Sequence, residues 1–62
     1  MFFEVVTTNG FRRSINPDYV VTVGELKNNG RSNTVINLTN GENIFVDDRY
    51  EEVMAAYMLA SK

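Results

Sequence analysis

A chain of 62 residues supports one domain with a thin core, because folding at this size buries only about 60% of the surface the unfolded chain exposes. It contains no cysteine and no histidine, which removes disulfides, thiolate and histidine zinc sites, and the usual nucleophile and base pairs of covalent catalysis. A formal charge of -2, from eight acids and six bases, lacks the basic excess with which proteins neutralise phosphates, so nucleic acid is disfavoured as a partner.

Residues 2–8 are rich in aromatic and β-branched types, Asn9-Gly10 punctuates them, and residues 11–15 resume with an apolar residue at each end. This pattern predicts a hairpin. A three-residue loop with Gly10 in the left-handed position sets Thr7 opposite Phe11, Val5 opposite Arg13 and Phe3 opposite Ile15. Phe3, Val5, Phe11 and Ile15 then share one face, whereas a two-residue loop scatters them over both. Asn16-Pro17-Asp18 reads as a turn, since proline presets φ and the flanking side chains bond to nearby amides. A middle strand over residues 19–27 follows, with Tyr19, Val21 and Val23 on one side and Gly24 as the expected bulge or bend. Asn28-Asn29-Gly30-Arg31-Ser32 reads as an exposed, mobile connecting loop.

Residues 33–39 and 42–46 repeat the first device around Asn40-Gly41. The same loop length pairs Ile36 with Ile44 and Thr34 with Val46, giving an apolar face of Ile36, Leu38, Ile44 and Val46. At Asp47-Asp48 the apolar period changes to about 3.6, and a helix is expected over residues 48–60 with Tyr50, Val53, Met54, Tyr57 and Met58 as its stripe. Asp48 is the expected cap, Glu51 completes an acidic capping box, and Lys62 supplies a cation at the negative end. The fold class that follows is mainly β (α+β): a five-stranded antiparallel meander, curled toward an SH3-like partial barrel with Gly24 at its corner, and one C-terminal helix.

The chemistry-bearing residues are few. Ser14, Ser32 and Ser61 have no activating base near them in sequence, so no catalytic residue is assigned and the chain is not expected to be an enzyme. Asp47, Asp48, Glu51 and Glu52 resemble a hard-cation cluster, yet acids in a first helical turn are what capping and the helix dipole already require. No metal and no cofactor is therefore expected. Met1-Phe2-Phe3-Glu4 lacks the positive start and long apolar stretch of a signal peptide, and no run approaches transmembrane length. A cytoplasmic protein without membrane insertion is the expectation, and the sequon Asn37-Leu38-Thr39 is then coincidental.

Two surfaces stand out as candidates. Phe2, Val6, Val20, Val35 and Phe45 fall on the opposite parity from the main apolar face, and Tyr57 joins them as a residue suited to an interface. Such a surplus is covered by the helix or by another chain, because monomers seldom leave large apolar patches bare. With neither disulfide nor metal available, association with another protein or with a second copy is also a recognised route to stability at this size. Arg12 and Arg13, with Arg31, are the candidate contacts for an anion or a partner, although charged residues on an edge strand also guard against unwanted pairing.

The order Asn9-Gly10, Ile15-Asn16-Pro17-Asp18 with Val20 and Val23, Thr34-Val35-Ile36-Asn37-Leu38-Thr39-Asn40-Gly41, Val46 and Glu51-Glu52-Val53 resembles the small bacterial flagellar proteins called FlbD or SwrD, across most of the chain. The resemblance implies a cytoplasmic accessory protein tied to flagellar operons and motor power, acting through protein contacts without catalysis. From the residues themselves the leading expectation is a self-associating protein-interaction module. The alternatives are a phage-type small regulator or inhibitor that binds a host protein or small ligand, and a nucleic-acid-binding β-domain using Arg12, Arg13, Lys27 and Arg31 beside neighbouring aromatics.

Overall fold

The computed structural model describes the backbone of residues 1–28 and 31–62, and the side chains of residues 1–27 and 33–62. Five strands and one helix follow in order: β1 Phe3–Val6, β2 Arg12–Ile15, β3 Val20–Asn28, β4 Arg31–Leu38, β5 Asn43–Val46 and α1 Tyr50–Ala60, with a single turn of 3₁₀ helix at Pro17–Tyr19. The strands form two antiparallel sheets, β1-β2 and β3-β4-β5. A lone bridge between Thr7 and Val46 joins them, with Thr8 N donating to Phe45 O and Asp47 N to Val6 O. The strand order across the join is thus β2-β1-β5-β4-β3. The expected curling toward an SH3-like barrel takes the form of two sheets meeting at this bridge, not one continuous ladder.

Both hairpins use a three-residue Thr-Asn-Gly loop. In the first, Thr7 N donates to Phe11 O at 2.7 Å and Gly10 sits at φ 92°; in the second, Leu38 N donates to Glu42 O at 2.9 Å and Gly41 sits at φ 89°. A residue in this region avoids a Cβ clash only if it is glycine or tolerates the left-handed conformation, which is why each loop ends on one. The registers follow: Phe3 with Ile15 and Val5 with Arg13, Ile36 with Ile44 and Thr34 with Val46. Phe11, however, is exposed at the turn, one step past the end of the covered face. The Asn16 side chain accepts from Asp18 N at 3.0 Å and starts the 3₁₀ turn, with Pro17 buried beneath it.

The irregularity in β3 is not at Gly24. Val20 pairs with Leu38 and Thr22 with Asn37, so Val21 is the extra residue, while Gly24 pairs in register with Val35. A bulge reverses the parity of everything before it. Val20 and Val23 therefore both pack on the core, and Tyr19 and Val21 are exposed, which overturns both the expected Tyr19-Val21-Val23 face and the place of Val20 on the outer surface. β3 and β4 also reach further than expected: Lys27 pairs with Ser32 and Asn28 with Arg31. Of the loop expected over residues 28–32, Asn28, Arg31 and Ser32 are strand, and residues 29 and 30 lie outside the described residues.

Phe3, Val5, Ile15, Ile36, Ile44, Val46, Val53 and Ala60 form the core, with Val20, Val23, Leu38, Ala56 and Tyr57 packed against it. The helix thus lies on the inner faces of the sheets and covers them with Val53, Ala56, Tyr57 and Ala60, the i, i+3, i+4, i+7 set. Met58 of the expected stripe is exposed. The two alanines let the helix sit low, and Tyr57 reaches across edge-to-face onto Phe3, with ring centroids 6.0 Å apart and planes at 84°. Tyr57 is accordingly a core residue and not a free interface residue.

The helix start also differs from expectation. Arg49 is the N-cap, and its amide donates to Glu52 Oε1 at 3.2 Å. Arginine has no acceptor to return the bond, so the box is half-formed. Asp48 is engaged elsewhere: its Oδ1 accepts from Val6 N at 2.9 Å and its carbonyl accepts from the buried Thr34 hydroxyl at 2.7 Å. One residue thereby ties β1, β4 and the helix entry together. At the far end the last turn carries no basic residue, and the Ser61 hydroxyl donates to Met58 O at 3.2 Å.

Candidate interaction surface

With the helix spent on the inner face, the outer face of the sheets is left as the candidate site. Register places Gly24 beside Val35 and Val35 beside Phe45. The join to β1 continues the row, since Phe45 O accepts from Thr8 N and Val6 O from Asp47 N, which sets Val6 diagonal to Phe45 on the same side. Val6 is 38% and Phe45 44% exposed, while Val35 is half-buried between its neighbours. Three of the six sequence-identified residues, Val6, Val35 and Phe45, thus converge on one apolar stripe across three strands, β1, β5 and β4, with Gly24 of β3 at its end. Phe2, 61% exposed, stands apart from it.

Polar rows flank the stripe. On one side the Thr22 hydroxyl donates to Asn37 Oδ1 at 2.7 Å, and Asn37 Nδ2 donates in turn to Asn43 Oδ1, a cross-strand chain over β3, β4 and β5. On the other, Arg12 Nη1 lies 3.8 Å from Glu4 Oε1, both well exposed. Sequence reading did not find the Thr22-Asn37-Asn43 row; the cue was the recurrence of short polar residues at one parity, visible only once the registers are known. An apolar centre with a polar surround is the layout of a protein contact surface.

Phe2 lines a separate shallow cleft of about 240 Å³ together with Arg13, Tyr19, Leu38 and Glu42. Arg13 is the inward-parity member of its pair, opposite the buried Val5, and emerges at the open end of the core. There it makes a bidentate contact with Glu42, Nη1 to Oε2 at 2.7 Å and Nη2 to Oε1 at 2.9 Å. Those hydrogen bonds raise the Arg13 pKa and hold the Glu42 carboxyl below its ordinary value. A guanidinium whose fork already grips a carboxylate has little left to offer a free anion, so Arg13 is a link between the two hairpins. The Arg31 side chain lies outside the described residues.

The acidic group before and within the helix is dispersed in use: Asp48 serves Val6, and Glu52 serves Arg49. Among the described residues no three carboxylates come together as a metal site. Among the described residues no helix is long and apolar enough to cross a membrane. Compared with protein-family models, with curated proteins and with solved structures, the chain matches none of them.

Proposed function

We propose that the chain is a non-enzymatic protein-interaction module that assembles, with itself or with a larger protein, through the outer face of its sheets. The observation that carries the reading is the row of Val6, Phe45 and half-buried Val35, left without a cover because α1 closes the opposite side. Burying such a row removes apolar surface from water at about 25 cal/mol per Å², and its polar flanks fix orientation. The engagement of Arg12 and Arg13 with Glu4 and Glu42 weighs against a phosphate-binding role, since paired guanidiniums release few counterions. A small regulator of a larger protein would use the same surface. The resemblance to the FlbD and SwrD proteins adds flagellar motor components as the first heterologous baits.

The test is Phe45→Lys, which plants a charge in the centre of the row and leaves the core untouched. Sedimentation velocity and amide shifts are followed from micromolar to millimolar concentration, alone and with flagellar baits. Association that moves the resonances of Val6, Val35 and Phe45 and is lost in the variant is the expected result. Resonances that stay fixed throughout, alone and with every bait, would remove the reading.

A further inference from the structure

The free edge of β3 offers a second and more specific contact. In an antiparallel ladder, successive residues of a middle strand bond alternately to its two neighbours. Leu38 bonds to Glu42 on the β5 side, so Ile36 and Thr34 do likewise, and Asn37, Val35 and Asn33 bond to β3. Their partners Thr22, Gly24 and Leu26 are thereby the residues of β3 whose amides and carbonyls are used. The backbone groups of Val23, Glu25 and Lys27 point outward from the sheet, and among the described residues none is bonded to another backbone group outside the ladder.

Edges of this kind are usually blocked, and inward-pointing or like charges are a common means. Here the two charged residues are of opposite sign and two positions apart, Glu25 and Lys27, with Leu26 between them. Leu26 is 45% exposed, on the same side of β3 as Gly24 and hence on the outer face. Only one antiparallel self-pairing satisfies all three features. With the two-fold axis at Leu26, Glu25 of each copy falls opposite Lys27 of the other, and both belong to the set whose backbone groups are free. Leu26 meets its counterpart in the non-hydrogen-bonded position, where opposed side chains lie closest. An axis at Glu25 would set glutamate against glutamate, and one at Gly24 would set each charge against a valine.

We infer that two copies of this chain pair antiparallel along β3 about Leu26, joining their three-stranded sheets into one of six strands with Glu25 and Lys27 in two reciprocal ion pairs. This rests on the reading of the chain as a protein-interaction module, though not on the outer face as its contact, and names a second copy as the occupant of the β3 edge. A symmetric contact of this isologous kind is the commonest form of homodimer.

The experiment is sedimentation equilibrium on the wild type, Glu25→Lys, Lys27→Glu, the double reversal Glu25→Lys with Lys27→Glu, and Phe45→Lys, with circular dichroism to confirm that each is folded. Both charged residues are exposed, so the reversals do not disturb the core. Each single reversal sets like charges opposite one another twice and is expected to weaken the dimer about tenfold or more, while the double reversal restores it to within about threefold. Amide exchange at Glu25 and Lys27 is expected to slow as concentration rises. The inference is overturned if no dimer forms up to millimolar concentration, if the single reversals leave the dimer unchanged, or if the double reversal fails to restore it. If Phe45→Lys alone dissociates the assembly, the edge pairing is wrong and the outer-face reading stands. If the charge series behaves as expected and Phe45→Lys has no effect on any association, the edge pairing stands and the outer-face reading fails.

Discussion

Among the described residues, Gly10, Gly24 and Gly41 occupy strand or turn positions, and substituting alanine at each should give two different signs. Gly10 and Gly41 sit at φ 92° and 89°, and a Cβ built on either meets nothing within 4 Å. The penalty at these two is therefore backbone strain alone, about 1–2 kcal/mol for an L-residue held in the left-handed region. Gly24 has ordinary strand geometry, and its added Cβ would lie 3.4 Å from Val35 Cγ1, a normal contact. There alanine restricts the unfolded chain without straining the folded one, a gain of about 0.4–1 kcal/mol. A domain of this length has roughly 3–9 kcal/mol of stability in all, so these are large fractions. Urea unfolding followed by circular dichroism should place Gly10→Ala and Gly41→Ala about 4–8 °C per kcal/mol lower in a matching thermal scan, and Gly24→Ala at or above the wild type. Asparagine at Gly10 or Gly41 should recover part of the loss, because its short side chain tolerates this conformation. The reasoning fails if alanine is neutral at Gly10 and Gly41, or if Gly24→Ala is the most damaging of the three.

The remaining expectations concern the two long-range polar links. The Glu42 carboxyl is held below its ordinary value chiefly by the hydrogen bonds from Arg13; a depressed folded-state value means the pair stabilises the fold above the ordinary glutamate range and is lost as pH falls through the depressed one. Urea midpoints measured across that acidic range should fall more steeply for the wild type than for Glu42→Gln, and Arg13→Ala should return the Glu42 titration seen by carbon NMR toward its ordinary position. Thr34→Val keeps the shape of a residue only 1% exposed and leaves the Asp48 carbonyl without its donor, so a loss of about 1–2 kcal/mol is expected in thermal unfolding.

What could be read in the sequence is what is decided locally. The Thr-Asn-Gly loops specify a left-handed third position, and a loop of known length dictates every pairing behind it, so Phe3 with Ile15 and Ile36 with Ile44 followed from two glycines. Pro17 between Asn16 and Asp18 is equally local. The bulge was not legible, because one extra residue in a run of valines has no signature of its own; Val21 differs from Val20 and Val23 only in where β4 runs past it. The helix stripe was misread for a related reason. Ala56 and Ala60 carry little apolar weight in a periodicity count, yet a shallow core prefers them, while Met54 and Met58 weigh heavily and lie toward the outside. Asp48 looked like a cap because its local sequence permits one, and lost that role to an amide 42 residues away.

The same locality explains why the outer face is where function should be sought. The inner faces of two small sheets need one cover, and the helix supplies it with a valine, two alanines and a tyrosine; among the described residues no further element shields the other side. A sequence selected only to fold would place polar residues at Val6, Val35, Phe45 and Leu26, since each is on the solvent parity of its strand and none is needed by the core. The neighbouring row shows that the sheet accepts such residues, because Thr22, Asn37 and Asn43 occupy equivalent positions and bond to one another across three strands. Apolar side chains kept in one row while the next is polar are what the proposed contact surface requires and the fold alone does not. Placing Thr at Val35 and Phe45 together is the direct way to ask whether that requirement is separable, since the fold should survive the exchange and the association should not.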